Sequence, residues 1–375
     1  MRVALLTSYR QQCGVATYAE NLVEAFAGTS IEPVVFAPRL TRGERAEDGP
    51  APARLWGANR AFGVEAFPVM RAIRAAGCDL VHLNVNLSLF SSRIVFALVT
   101  LARRAGMPVV ATLHGRDGGG LGRRFKVWRL YRALRGAHLV VHNDAHASEA
   151  RAFGHAKEAV SVVPHGMPPV APPRPLAEAR RALGLAPERP VLAHFGFLVP
   201  DKGVLEMVRA VASLRERRAP ELFYWVSGAV NPRDPSSLAY LEAVRAEVRR
   251  LGLEAHVHLN AAFVSHDEAI AAMQAADWIV LNYQTGSAQA SSGAVSRALA
   301  SGRPVAVSEA AVFDDVRSAV HTLRGPLEPA LGALLEGTAL AADVAERSRR
   351  HMQEASWPSV AELHAALYRR LTREP

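Results

Sequence analysis

The chain has 375 residues, half of them apolar and 21% charged, a balance that excludes a mainly disordered, collagen-like or coiled-coil protein and, at roughly 150 residues per domain, suggests two domains. Lys and Arg outnumber Asp and Glu to give a net charge of +9, which calls for an anionic partner. Two cysteines, Cys13 and Cys78, exclude a disulfide framework and a cysteine zinc site. Met1 to Leu6 is too short an apolar run for a signal peptide, and Ile94 to Ala102 is about half of a membrane span. The reading is therefore a cytoplasmic protein that meets a membrane only from outside the bilayer.

Val- and Leu-rich runs alternate with longer amphipathic segments, the signature of βαβ units and a parallel sheet. Strands are expected at Arg2 to Ser8, Pro33 to Ala37, Asp79 to Leu83, Pro108 to Leu113, Ala137 to His142 and Ala159 to Val163. Pro164 to Pro190 then carries eight prolines and a short helical insert, Leu176 to Leu183, which reads as a linker. A second series follows at Val191 to Phe195, Leu222 to Val226, His256 to Asn260, Trp278 to Leu281 and Pro304 to Val307. Leu327 to Gln353 and Val360 to Leu371 read as helices, separated by a break near Trp357 and Pro358. The architecture is two similar doubly wound α/β domains whose ligands belong off the C-terminal ends of the strands, in the crevice between domains. The boundaries are residues 1–168, a linker at 169–189, a second domain at 190–356 and a C-terminal helix at 357–375 returning to the first domain.

Three loops carry candidate chemistry. The first strand runs through Cys13-Gly14-Val15 into a helix, where a glycine lets a ligand approach the backbone and the helix start attracts phosphate; a tight turn with no ligand is the alternative. The strand Val191 to Phe195 ends in Gly196, with Lys202-Gly203 just beyond, and a lysine there is a point charge for a diphosphate. The small-residue run Thr285 to Gly293 opens the helix Ala294 to Ala300, offering N–H groups and the hydroxyls of Ser291 and Ser292 to an anion, or a plain cap.

Taken in order, Cys13-Gly14-Val15-Ala16-Thr17-Tyr18, Val81-His82-Leu83, Thr112-Leu113-His114-Gly115, Val163-Pro164-His165-Gly166, Gly196 with Lys202-Gly203, Arg297 to Val305 and Ser356-Trp357 resemble the retaining glycosyltransferases of the GT-B fold, family four. The resemblance spans nearly the whole chain and implies two Rossmann-like domains facing across a cleft. It further implies metal-independent transfer of a sugar, with retention, from a nucleotide-sugar donor to an acceptor hydroxyl, with no cofactor. Gly14 and Val15 would present N–H groups to the donor diphosphate, Lys202 would neutralise it, and Ser291, Ser292, Gly293 and Ala294 would hold it from the other side. Phe263, Val264 and Gly228 match the seat of the nucleobase or ribose, and His114 a histidine near the donor sugar, whose alternative is a core histidine closing a strand. The sequence departs from the family at three points. Gln289 and Arg297 stand where a glutamate pair is common, and Phe197 stands where an arginine usually follows the glycine of the lysine loop. Gln289 still exchanges hydrogen bonds with sugar hydroxyls, whereas Arg297 only donates. A catalytically silent glycan- or partner-binding module and a nucleotide-sugar epimerase are the competing readings.

Between Leu101 and Arg135 nine basic residues face one acid. Arg123, Arg124, Lys126, Arg129 and Arg132 interleave with Phe125, Trp128 and Tyr131, which suits anionic headgroups at the inner face of a membrane or a glycan or lipid-linked acceptor; an ordinary solvated helix face is the alternative. A nucleic-acid partner is not expected, since no recognition module is present. Nor is a metal: His138 and His142 on one strand lie about 13 Å apart, and His256 with His258 lacks a third ligand.

Overall fold

The computed structural model describes residues 1–11, 14–40, 51–57, 62–86, 89–114, 121–231, 234, 236–262, 264–284 and 293–373, with backbone only at Gly14, 121–124 and His266. The chain divides into two compact units, Met1–Gly166 with Ala355–Pro375, and Met167–Glu354.

Unit 1 alternates strand and helix: β1 (Arg2–Leu6), α1 (Gly14–Phe26), β2 (Glu32–Pro38), β3 (Ala53–Trp56), α2 (Ala66–Ala75), β4 (Leu80–Val85), α3 (Ser92–Arg104), β5 (Val109–Leu113), α4 (Leu121–Ala133), β6 (His138–Val141), α5 (Asp144–Ala152) and β7 (Val160–Val162). The strands form one seven-stranded sheet in the order β3-β2-β1-β4-β5-β6-β7, every pairing parallel. A parallel sheet needs cover on both faces, and successive residues of each strand divide the work. Ala4, Leu6, Val81, Leu83, Val109, Ala111 and Leu139 pack under α2 to α5, while Val3, Leu80, Val110 and Val140 pack under α1 and the C-terminal helix. Helix α3 shows why it sits there: Ser91 caps its N-terminus and Ile94, Val95, Leu98, Val99 and Ala102 form one buried stripe.

Unit 2 contains α6 (Leu176–Ala182), β8 (Val191–Phe195), α7 (Val204–Arg217), β9 (Phe223–Ser227), α8 (Ser236–Arg250), β10 (Val257–Asn260), α9 (His266–Gln274), β11 (Trp278–Leu281), α10 (Gly293–Ala300), β12 (Val305–Val307), β13 (His321–Thr322), α11 (Leu327–Glu336) and α12 (Thr338–Glu354). Its six-stranded sheet runs β10-β9-β8-β11-β12-β13, again all parallel. The last helix, α13 (Trp357–Arg373), packs on α1 in unit 1.

Four expectations are corrected. The edge strands β3 and β13 exist, and each is too short to carry a period of its own. The run Leu327 to Gln353 is two helices parted at Gly337. The break at Trp357 and Pro358 is the first turn of α13, where proline is tolerated because its missing N–H would have no partner. The proline-rich residues 169–189 belong to unit 2. There the buried Arg180 pairs with Asp277 at 2.7 Å and donates to the carbonyls of Ala275 and Pro187, fixing α6 against α9. Arg180→Ala strips Asp277 of that partner, and unit 2 is expected to lose about 3 kcal/mol in chemical denaturation. A loss below about 0.5 kcal/mol, the range of ordinary surface changes, would show that the pair does not hold the segment.

Candidate active site

In unit 1 the candidate residues gather at the C-terminal edge of the sheet. Thr7 and Ser8 leave β1 fully buried, and the loop before α1 passes through Arg10 at φ 52°, a left-handed conformation that costs a non-glycine residue of the order of 1 kcal/mol. Glu20 of α1 holds it by accepting the Arg10 N–H at 2.7 Å, and Arg54 donates to the carbonyls of Tyr9 and Pro38. The loop that delivers Gly14 and Val15 is thus braced by its own helix and by β3. Val15 is partly buried against the core.

His114 follows β5, His142 follows β6 and His165 comes just after β7. Three adjacent parallel strands therefore bring three histidines to one edge, with ring centroids 5.2 Å apart for His114 and His142 and 5.3 Å for His142 and His165. Tyr18, on the first turns of α1, lies against all three at 4.5, 5.7 and 5.2 Å, and against Trp357 at 5.1 Å. Gly166 rests flat on the Trp357 indole, and a Cβ there would overlap the ring. Beneath them, the His82 nitrogens face the Tyr368 hydroxyl at 2.6 Å and Thr112 Oγ1 at 2.7 Å, and the Tyr18 hydroxyl faces His364 Nε2 at 3.3 Å.

Burial keeps this cluster neutral. It pushes His82 and His114 well below the usual imidazole range, His142 to about 3 and His364 to about 4, and it lowers His165. His142 Nδ1 lies 3.0 Å from the Val163 carbonyl, an acceptor only, so Nδ1 carries the hydrogen and Nε2 is a bare lone pair. The Nε2 atoms of His114 and His142 are buried with no partner among the described residues. This edge offers hydrogen bonds without net charge.

Unit 2 supplies the charge. β8 ends at Gly196, whose φ is 145°, and a side chain there would touch His194 Nε2, the Tyr283 hydroxyl and Ala294 Cβ at 3.7–3.8 Å. A short turn at Pro200–Lys202 follows. Lys202 is 3% exposed, with Nζ 3.3 Å from Asp201 Oδ2 and 3.8 Å from the centre of the Tyr283 ring. Burial pushes its pKa down and Asp201 pulls it back up. Gly203, at φ 67°, has no room for a Cβ against the Asn282 carbonyl. The lysine expected at an open mouth thus lies beneath Tyr283, in a cation–π contact. Gly293 and Ala294 begin α10 on the same side, and Arg297 stands 5.5 Å from the Phe195 ring.

Gly228 comes directly after β9, its N–H donating to the Asn260 carbonyl and its Cα against Leu198, which a Cβ would strike. Val264, partly buried, precedes the Ser265 cap of α9. Gln289, Ser291, Ser292 and Phe263 lie outside the described residues, as do the side chains of Arg123 and Arg124. Of the histidines weighed as metal ligands, His138 bonds Ser161, His256 sits between Arg189 and Arg215, and His258 stacks on Trp225 at 3.9 Å.

The sequence reading missed Tyr18, His142, Tyr283 and His194 as neighbours of the site. The recurrence of histidine at the end of three successive strands was the available signal.

Residues 13–170 match the model of Glycosyltransferase Family 4. The whole chain has the GT-B fold. Its fold is similar to that of sucrose-phosphate synthase from Thermosynechococcus elongatus, 17% identical with a TM-score of 0.66 over 100% of both chains. It is also similar to HepE from Anabaena in complex with UDP, 16% identical with a TM-score of 0.70 over 98% of this chain and 99% of that one. A third likeness is to WaaG, a glycosyltransferase of lipopolysaccharide biosynthesis, 16% identical with a TM-score of 0.60 over 98% and 99%. No curated protein matches in sequence.

The neutral histidines are expected to make the folded protein acid-sensitive. Below about pH 6.5 the unfolded chain binds protons that the folded cluster refuses, so a wholly buried histidine costs about 1.4 kcal/mol per pH unit. For His364 that loss continues until the folded value of about 4 is reached; above the unfolded value it contributes no slope. Thermal midpoints measured from about pH 7.5 down to about pH 5 should fall, and His364→Gln should flatten the decline. An identical slope in that variant would remove the cluster as its cause.

Proposed function

We propose that the protein transfers a sugar from a uridine diphosphate sugar to an acceptor hydroxyl with retention of anomeric configuration and without a metal ion. The observation that carries the reading is the grouping of Gly196, Lys202, Tyr283 and the start of α10 at one edge of unit 2. HepE, which shares the fold, has been crystallised with UDP and with UDP-glucose, and this supports the choice of donor.

In this mechanism the bond between the anomeric carbon and the phosphate oxygen breaks and its electron pair stays on the phosphate. Lys202 and the N–H groups of Gly293 and Ala294 at the start of α10 meet that growing charge, and Ser291 and Ser292, next to them in the sequence, add their hydroxyls. Gly14 and Val15 hold the diphosphate from unit 1 through backbone N–H groups. The acceptor oxygen bonds to the anomeric carbon on the face the phosphate leaves, and its proton passes to the departing phosphate oxygen. His114, neutral and therefore unable to act as a fixed charge, exchanges a hydrogen bond with the donor sugar, and Gln289 does the same. Gly228, Phe263, Val264 and Arg297 surround the nucleoside. The described part of α10 has no acid in its first turn, so cations and N–H groups carry donor recognition there.

No described helix is long and apolar enough to cross a membrane. Our reading is a cytoplasmic enzyme acting on a glycan, a small molecule or a lipid-linked sugar at a membrane surface.

Lys202→Met keeps the buried stem under Tyr283 and removes the charge. With a panel of UDP-sugars, turnover is expected to drop of the order of 100-fold to 1000-fold, as when one transition-state donor is lost. The rise in thermal midpoint that UDP gives the wild type should shrink in the variant. Wild-type turnover in the variant would remove Lys202 from the mechanism.

A further inference from the structure

We propose that unit 1 docks on an anionic lipid bilayer through the N-terminal turns of α2, α3 and α4. The inference deepens the reading of a sugar acceptor held at the C-terminal edge of unit 1, but its evidence and its test need no catalysis.

The parallel sheet fixes the geometry. Because β3, β4, β5 and β6 all run the same way, the helices that return between them all start at the strands' C-terminal edge, the edge that carries His114 and His142. Helix α3 packs between α2 and α4. The turn at Gly63–Glu65 before α2 lies on the start of α3, since a Cβ on Gly63 would sit 3.6 Å from the Arg93 carbonyl and 3.7 Å from Ala97 Cβ.

That rim is aromatic where a soluble surface would be polar. Phe62, Phe67, Phe96, Phe125 and Trp128 are 62%, 63%, 60%, 58% and 41% exposed. Phe62, Phe67, Phe96 and Phe125 lie just before a helix or in its first two turns, and Trp128 follows three residues after Phe125 in α4. They are not outliers of a core stripe, because Ile94, Val95, Leu98 and Val99 of α3 and Leu130 and Tyr131 of α4 already cover the sheet. Exposed apolar surface on this scale marks a docking surface.

Charge selects the occupant. From Phe62 to Arg135 the sequence holds twelve Lys and Arg against three acids, Glu65, Asp79 and Asp117. Arg74, Arg103, Arg104 and Arg132 lie in the last turns of their helices and Arg135 beyond α4, so the cations of the rim itself are Arg93 at the start of α3 and Arg123, Arg124, Lys126 and Arg129 in the first turns of α4. Glu65 pairs with Arg39 and Asp79 accepts the Arg2 N–H, so neither offsets the rim. Phe125 and Trp128 stack at 5.7 Å, with the Arg129 and Arg132 guanidinium groups 5.9 and 4.9 Å from their respective ring centres. Rings that enter the headgroup layer with cations beside them match an anionic bilayer. A second copy of the same face would bring like charges together.

Flotation with vesicles tests this directly, using the full chain, phosphatidylcholine alone, and phosphatidylcholine with an equal part of phosphatidylglycerol. The wild type should float with the anionic vesicles and at least about tenfold less with the neutral ones. The exposed triple variant Phe67→Ser, Phe96→Ser, Phe125→Ser should lose about tenfold in binding with its thermal midpoint retained, and Lys126→Glu with Arg129→Glu should lose as much. Lys202→Met should float like the wild type, which separates this proposal from the assigned catalysis. Absence of flotation at low salt would overturn the proposal, as would binding that the charge variant lowers and the ring variant leaves intact. Concentration-dependent dimerisation in gel filtration, abolished by the ring variant, would reassign the face to a second copy.

Discussion

Everything functional in this molecule follows from the parallel run of its strands. A parallel sheet is covered by helices on both faces, so backbone and side chains are free to meet a ligand only at the edge where the strands end and the helices begin. Among the described residues, thirteen strands in two sheets obey that constraint. His114, His142 and His165 in one unit, and Gly196, Lys202 and Gly228 in the other, all stand just past the C-terminal end of a strand. The same constraint puts Phe67, Phe96 and Phe125 at the starts of their helices, on the edge that presents the histidines. The exposed aromatic rings and the candidate site residues share an edge because in a parallel βαβ sheet the crossover helices start where the strands end.

The two edges solve different electrostatic problems. In unit 1 the imidazoles crowd around Tyr18, and burial denies them a charge, leaving groups such as His142 Nε2 that accept a hydrogen from a hydroxyl. In unit 2 Lys202 retains Asp201 as a partner and Tyr283 as a cover. Its burial means that little water stands between it and whatever anion approaches, so its charge acts at low dielectric. Gly203 is required for this arrangement, since the turn that tucks Lys202 under Tyr283 passes against the Asn282 carbonyl with no room for a Cβ. The lysine supplies the charge, and the glycine after it supplies the path of the chain.

The central strands were legible in the sequence because a strand buried on both faces reads as a continuous apolar run. Leu80–Val85 and Val191–Phe195 are such runs, and each contains a histidine that the structure buries. The strands β3 and β13 were not legible because four and two residues are too few to carry a pattern of their own, whereas β7 and β10, also at the edges, were read within the runs Ala159 to Val163 and His256 to Asn260. The proline-rich stretch misled for a different reason: composition reports the want of regular structure, whereas its attachment to unit 2 rests on Arg180 reaching residues nearly a hundred positions away. For the site, the glycines and Lys202 were legible as local patterns. The grouping of His114, His142 and His165 was not, because it depends on the register of three strands. The aromatic rim was half legible, in that Phe125 and Trp128 share one helix with their arginines, while Phe67 and Phe96 join them only through the packing of α2 on α3 and α3 on α4.

The distribution of charge now has a physical division. Positive groups on α4, Lys126, Arg129 and Arg132, are exposed, and salt screens them over about 8 Å at physiological ionic strength. Lys202 is enclosed by protein, where screening is weak. The proposed attraction to an anionic surface and the proposed neutralisation of a diphosphate therefore answer to different conditions although both would use cations. Under the two proposals, rising salt weakens the first while the second persists, and falling pH strains the neutral histidines of unit 1. A protein with a net charge of +9 can hold the two proposed roles apart because Lys126, Arg129 and Arg132 are at the surface, Lys202 is covered, and the buried imidazoles of unit 1 carry no charge.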